Sequence, residues 1–412
     1  MQLIKNIRAI YGIHPAGTQP LKGVEMSDAG EFADAYLIVD GERIHSWGKM
    51  AEMPSEDGFT RVIDARYGYV LPAFCDAHTH IIYAGSREGE FCDKIDGLSY
   101  EEIAARGGGI LNSADLLHDT DEESLFASAH RRLRQVMAMG TGAIEIKSGY
   151  GLNTADELKM LRIIRRLREA EPQMEIRSTF LGAHAVGRAY TGRQSEYVEM
   201  LISEMLPAVA AEGLADFVDV FCDRGFFTPE ETARILEAAA KYGIRPKIHA
   251  NELAVSGGVQ VGVKYGAVSV DHLERMGEEE IEVLMNSATI PTMLPGASFF
   301  LGMPYGRARD AVRTGLPVAL ASDYNPGSSP SGDMRFVWAL GCIKMRLSPA
   351  EAMNAVTLNG AAAMDLAGAA GSITPGKFAS LIITRQLPSL AYIPYAYTEP
   401  WIERVMLKGR DL

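Results

Sequence analysis

The feature that most constrains the fold is an alternation along the middle of the chain: apolar runs of strand length, each ending in a polar or turn-forming segment, separated by helical stretches. The runs close at His78 to His80 (VLPAFCDAHTH), Lys147 (GAIEIKS), His184 (STFLGAH), Asp223 (FVDVFCD), Asn251 (PKIHAN), His272 (AVSVDHL), Leu294 (ATIPTML) and Asp323 (PVALASD). Near-continuous apolar strands alternating with helices imply a parallel sheet buried on both faces. Eight such units, closed on themselves, predict a (β/α)8 TIM-like barrel over residues 70–370. An open doubly wound sheet is the competing arrangement. The barrel is preferred because the metal-competent side chains fall at the C-terminal ends of the runs, where barrels carry their chemistry. The intervening stretches have helix punctuation: Thr154 with Glu157 reads as a capping box, and Thr228-Pro229 opens a helix that Gly243 closes.

The two ends of the chain have a different texture. YLIVDGERIHSWG, with its Asp-Gly turn, and RVIDARYGYV lie before the barrel; SLIIT and WIERVMLKG lie after Gly371. Short alternating runs of this kind predict antiparallel strands, joined into one small β-sandwich-like domain built from residues 1–69 plus 371–412. Lys5 and Arg8 interrupt any signal-like apolar segment, and no run approaches the ~18 apolar residues of a membrane helix, so a cytoplasmic protein is expected. Cysteines at 75, 92, 222 and 342 are too few and too scattered for a disulfide framework. A net charge of −13 argues against nucleic-acid or anionic-membrane partners. It also means that an anionic substrate would need a specific cation in its pocket.

His78 and His80 lie two apart, so on a strand they face the same side, about 6.5 Å apart, close enough to share one ion. The alternative is a hydrogen-bonded pair with no ion. The other runs decide between them. His249 closes the fifth and Asp323 the eighth, and three imidazoles with one carboxylate suit a single Zn2+ or Fe2+. His184 and His272 end two further runs, whereas His14, His45, His118 and His130 are scattered and carry no assigned role.

His-x-His on the first strand, histidines closing the fifth and sixth and an aspartate closing the eighth resemble the amidohydrolase superfamily. Many members bridge two metals through a carboxylated lysine on the fourth strand; VFCDRG has none there, so the resemblance implies one metal, with Asp223 as a possible partner behind the ligands. Lys147, on the second strand, is wrongly placed to bridge. Five strings in order, GGGI (107–110), EIKSGYGL (145–152), FLGAHA around His184, HANEL (249–253) and SDYNPGSSP (322–330), resemble the imidazolonepropionase family. Ser380 departs from the aspartate common at that position in the superfamily.

That resemblance implies hydrolysis of 4-imidazolone-5-propanoate to N-formimidoyl-L-glutamate, one step of histidine breakdown, with zinc or iron held by His78, His80, His249 and Asp323. Such a reaction needs hydroxide at neutral pH, a polarised carbonyl and a proton for the departing ring nitrogen. Glu252, three residues beyond His249, is the expected proton carrier, with His272 and Asp323 as further candidates. His184 is expected to donate to the ring oxygen. Arg87 is the expected partner of the propanoate, supported by Tyr100 and Tyr150, while Asn325, Gly327 and Ser328 contact the ring or the new carboxylate. Gly107 to Gly109, with no Lys-Ser/Thr following, reads as a mobile loop or a tight turn rather than a phosphate loop. A homodimer is expected from the resemblance alone. Two other readings use the same ligands: a nucleobase deaminase, which has no need of Arg87, and a catalytically silent metal-binding barrel acting as an interaction protein.

Overall fold

The computed structural model describes residues 1–98 and 108–412. Among these residues the strands form two eight-stranded sheets. One is wholly parallel and runs in sequence order through Phe74–Asp76, Thr141–Lys147, Glu175–Ala183, Phe217–Cys222, Arg245–Ala250, Ser269–His272, Ile290–Met293 and Ala319–Leu320. Its ends are tied beyond the last strand. The Asp323 N–H donates to the His78 carbonyl (3.0 Å) and the His80 N–H to the Tyr324 carbonyl (2.9 Å), so the sheet closes as a barrel and not as an open doubly wound sheet. Asp76, wholly buried, reinforces the seam by accepting from the Ser322 N–H (2.9 Å) and Oγ–H (2.6 Å).

All eight apolar runs lie on these strands, but the first divides. Tyr69–Pro72 pairs with Gln2–Ile10 and Leu381–Thr384 in the second sheet, and only Phe74–Asp76 enters the barrel. Pro72 stands at the changeover, where its missing N–H costs no ladder bond. The boundary expected after residue 69 therefore falls inside a strand of the terminal unit.

The terminal sheet runs in the order Arg410–Asp411, Ile402–Leu407, Leu381–Thr384, Tyr69–Pro72, Gln2–Ile10, Phe32–Asp40 and Arg43–Lys49, with Arg61–Asp64 also on Gln2–Ile10. Both chain ends contribute, and Gln2–Ile10 is its hub. Ile4, Ile7 and Ile10 are wholly buried there, alongside Val39, Val70, Leu381 and Met406. The register slips between Ile4 and Ile7, and Asn6 sits at φ 54°, which marks a bulge.

Helices cover the barrel, and several start where a side chain satisfies a first-turn N–H group. Thr228 and Glu231 form a capping box before Pro229–Ala240. The box expected at Thr154 is absent. Asn153 is the cap of Thr154–Ala170, accepting from Asp156, and Glu157 is spent elsewhere. Among the described residues no helix is long and apolar enough to cross a membrane.

Candidate active site

Three strand ends at the barrel mouth carry non-glycine residues in the left-handed region: Asn251 (φ 56°), His272 (φ 82°) and Asp323 (φ 54°). Residues held this way are costly and persist where surrounding structure fixes them, commonly at functional sites. Here the turn of the backbone ends each strand at the cavity.

His78 Nδ1–H donates to Asp271 Oδ2 (2.7 Å), which leaves Nε2 as a lone pair facing the centre. That Nε2 lies 3.3 Å from His80 Nε2, and both are 3.6 Å from Asp323 Oδ1. His249 Nδ1–H donates to Asp219 Oδ2 (2.8 Å), and its Nε2 is buried with no partner. Burial, helped by Lys147 and the neighbouring imidazoles, holds His78 well below the usual histidine range, and burial beside His184 and His249 does the same to His80. Burial outweighs Asp219 and takes His249 down to about 4. All three rings are therefore neutral at pH 7.

The Nε2 lone pairs of His78 and His249 therefore face a common centre, where a cation would be attracted. Ligand atoms of His78, His80 and His249 sit within 4.8 Å of one another, as do those of His78, His272 and Asp323. Three neutral imidazoles, two of them oriented by carboxylates, with a further carboxylate in reach, fit a four-coordinate dication.

A cavity of about 510 Å3 opens above this cluster. His80, His249, Asp323, Glu252 and His272 form its floor, and Tyr150, His184, Asn325, Gly327, Ser328 and Arg87 line its walls. His78 lies beneath them, wholly buried. Tyr100 and Gly107 lie outside the described residues. Gly109, at φ 92°, opens the helix Ile110–Asp119, and its N–H donates to Glu90 (3.0 Å).

Glu252 Oε2 is 3.6 Å from His272 Nε2, and Glu274 Oε2 is 3.5 Å from His272 Nδ1. Burial raises Glu252 to about 7. Burial opposes charge on His272, but Glu252, Glu274 and Asp323 outweigh it and hold the ring protonated, well above its usual range. Burial also raises Asp323, to about 6, against the pull of His272 and of Ser328, whose Oγ–H donates to Oδ2 (3.0 Å).

One expected role reverses. His184 Nδ1–H donates to the Gly149 carbonyl (3.0 Å), and burial holds the ring neutral, down to about 3. Its Nε2 is thus an acceptor and not a donor toward a ring oxygen. Arg87 forms a two-point pair with Glu90 (2.8 and 2.5 Å) and lies against Gly327, where a Cβ would overlap its guanidinium. Asn325 Oδ1 accepts from the Gly327 and Ser328 N–H groups (2.8 Å each), which shapes the loop under that guanidinium.

Sequence reasoning missed several groups. Asp219 and Asp271 orient the histidines, whereas Asp223, the expected partner, caps the next loop by accepting from the Leu253 and Ala254 N–H groups (2.8 and 3.2 Å). Both aspartates were hidden inside apolar runs; a carboxylate in such a run must find a buried partner, and that was the available signal. Lys94, which also lines the cavity, was missed; its Nζ donates to the Gly327 carbonyl (3.3 Å).

A barrel with this donor set at its mouth defines a metal-dependent hydrolase class, and the model of the Amidohydrolase family matches residues 69–412. The fold has solved counterparts, among them an adenosine deaminase from Xanthomonas campestris with bound zinc (TM-score 0.72, 14% identity, covering 100% of this chain and 92% of that one). Relatives named imidazolonepropionase come from Christiangramia forsetii, 48% identical over 99% of both chains, and Flavobacterium johnsoniae, 49% identical over 99% of both. The chain belongs to the amidohydrolase family, in its imidazolonepropionase branch.

Proposed function

We propose that the chain hydrolyses 4-imidazolone-5-propanoate to N-formimidoyl-L-glutamate, using one Zn2+ or Fe2+ held by His78, His80, His249 and Asp323. The observation that carries this is the meeting, at the base of one cavity, of three neutral imidazoles and Asp323, with a shifted Glu252–His272 pair beside them and Arg87 in the wall. When bound, the ion acidifies a water toward a pKa of about 7 and polarises the ring carbonyl.

The protein groups supply the rest. In the reaction the carbonyl carbon gains the water oxygen, the ring C–N bond breaks, and the nitrogen leaves with a proton. Glu252, poised near pH 7, takes the proton of the attacking water and returns it to the departing nitrogen. Asp323, itself raised to about 6, is the alternative acceptor beside it. His272, kept protonated by three carboxylates, donates toward the oxygen as negative charge grows. His184 Nε2 accepts from a ring N–H, and Tyr150 packs beside it, ring centroids 5.5 Å apart.

Arg87 and Lys94 are the Arg and Lys side chains among the described residues lining the cavity, and they offset the repulsion of an anion by a chain of net charge −13. Glu90 fixes the Arg87 fork, and Asn325, Gly327 and Ser328 present polar groups beside it. Cys75, Cys92, Cys222 and Cys342 are all free thiols, which supports a reducing, cytoplasmic setting.

Ultraviolet absorbance separates the readings. The purified chain should consume the imidazolone and leave adenine, guanine and cytosine unchanged. Deamination of a base without imidazolone hydrolysis would assign the cavity to the deaminase reading; neither activity with full metal would favour a silent barrel.

A further inference from the structure

Lys147 ends the second barrel strand, beneath the cavity, and the chemistry above leaves it without a task. Its Nζ donates to Glu145 Oε1 (2.6 Å) and Asp219 Oδ2 (2.8 Å) and lies 3.5 Å from Asp271 Oδ2. Those two aspartate oxygens are the same atoms that accept Nδ1–H from His249 (2.8 Å) and His78 (2.7 Å). Glu145 is itself fixed by Thr179 Oγ–H (2.5 Å) and by Lys247, whose Nζ also donates to the Ala77 carbonyl (2.8 Å). All five charged side chains are fully buried.

We propose that Lys147 is a positioning residue: by donating to Asp219 Oδ2 and holding its charge 3.5 Å from Asp271 Oδ2, which Lys247 also faces at 3.6 Å, it helps set the tautomer and direction of His249 and His78 together. Two histidines from strands far apart in sequence thereby share one anchor. The charges fit an ammonium and exclude a carboxylated lysine here, because three carboxylates already face two lysines, and a further negative group among them would be repelled.

The inference rests on reading His78, His80, His249 and Asp323 as a metal site, and two physical roles for Lys147 give opposite results there. If the lysine acted only through its charge, removing it would leave more negative charge near the dication and tighten binding. If it positions the histidines, removing it loosens their aim and weakens binding, as losses behind metal ligands do by about ten- to a hundredfold.

The test uses the full chain, stripped of metal and titrated with Zn2+ against a chromophoric chelator, for wild type and Lys147→Met. A folded Lys147→Met should bind at least about tenfold more weakly, and its Co2+-loaded form should show a shifted visible spectrum, which lost stability alone would not produce. Lys147→Arg keeps the charge but misplaces it, and should weaken binding too; it decides the matter if Lys147→Met does not fold. Unchanged or tighter Zn2+ binding in a folded variant overturns the proposal. A wild-type chain that takes up no ion overturns the metal reading, and this inference with it.

Discussion

Glu252 shows how much a single side chain's surroundings decide. Its carboxyl sits on the cavity floor, where burial disfavours the charged form, and it is raised to about 7. A base must be deprotonated to accept, so kcat/KM should fall about tenfold per pH unit as pH drops below about 7, and level off above it. Glu252→Gln should lower kcat by about a hundredfold or more, abolish that acidic limb and leave metal content at the wild-type value. Full turnover, or a retained limb, would move the base to Asp323. The adjacent reading of His184 was only half visible in the sequence. FLGAHA placed it at a strand end, but only the Gly149 carbonyl reveals which nitrogen carries the proton.

At the scale of elements, two loops hold the cavity walls in place. Glu157, fully buried, accepts from the N–H groups of Gly149 (3.2 Å), Gly151 (2.8 Å) and Leu152 (3.0 Å), so one carboxylate fixes the loop bearing Tyr150 and the Gly149 carbonyl. Glu157→Ala strips buried donors of their acceptor and should cost about 2 kcal/mol or more in denaturant unfolding, with a parallel fall in kcat/KM. Gly327 is the opposite case. An added methyl would overlap the Arg87 guanidinium that Glu90 holds, so Gly327→Ala should shift that group and raise KM severalfold, and Arg87→Ala should do so more strongly. Equal KM in both variants would remove Arg87 from substrate binding.

Elements also show what sequence could and could not reveal. The eight runs were legible because strands buried on both faces are apolar throughout. The hub strand Gln2–Ile10 was not, because a bulge near Asn6 breaks the period-two alternation that would mark it. The cap at Asn153 was misassigned by one residue because Thr154 and Glu157 also fit the spacing.

For the molecule as a whole, the barrel gathers side chains that are distant in the chain, and its seam depends on backbone bonds of His78 and His80 to residues 323 and 324 rather than on an ion. Chelation should therefore abolish hydrolysis while circular dichroism retains the barrel, with activity restored by added metal. The meeting of His78, His80, His249 and Asp323 was legible in the sequence because the proposed ligands stand at strand ends; the carboxylates and lysines beneath them were not, since nothing in a linear text marks which buried charges meet. The most direct measurement is an anomalous-scattering map of crystals of the metal-loaded chain. One peak is expected per chain, about 2.0–2.2 Å from the ligating nitrogens of His78, His80 and His249 and an oxygen of Asp323. A peak elsewhere, or no peak with these four side chains pointing apart, would contradict the account.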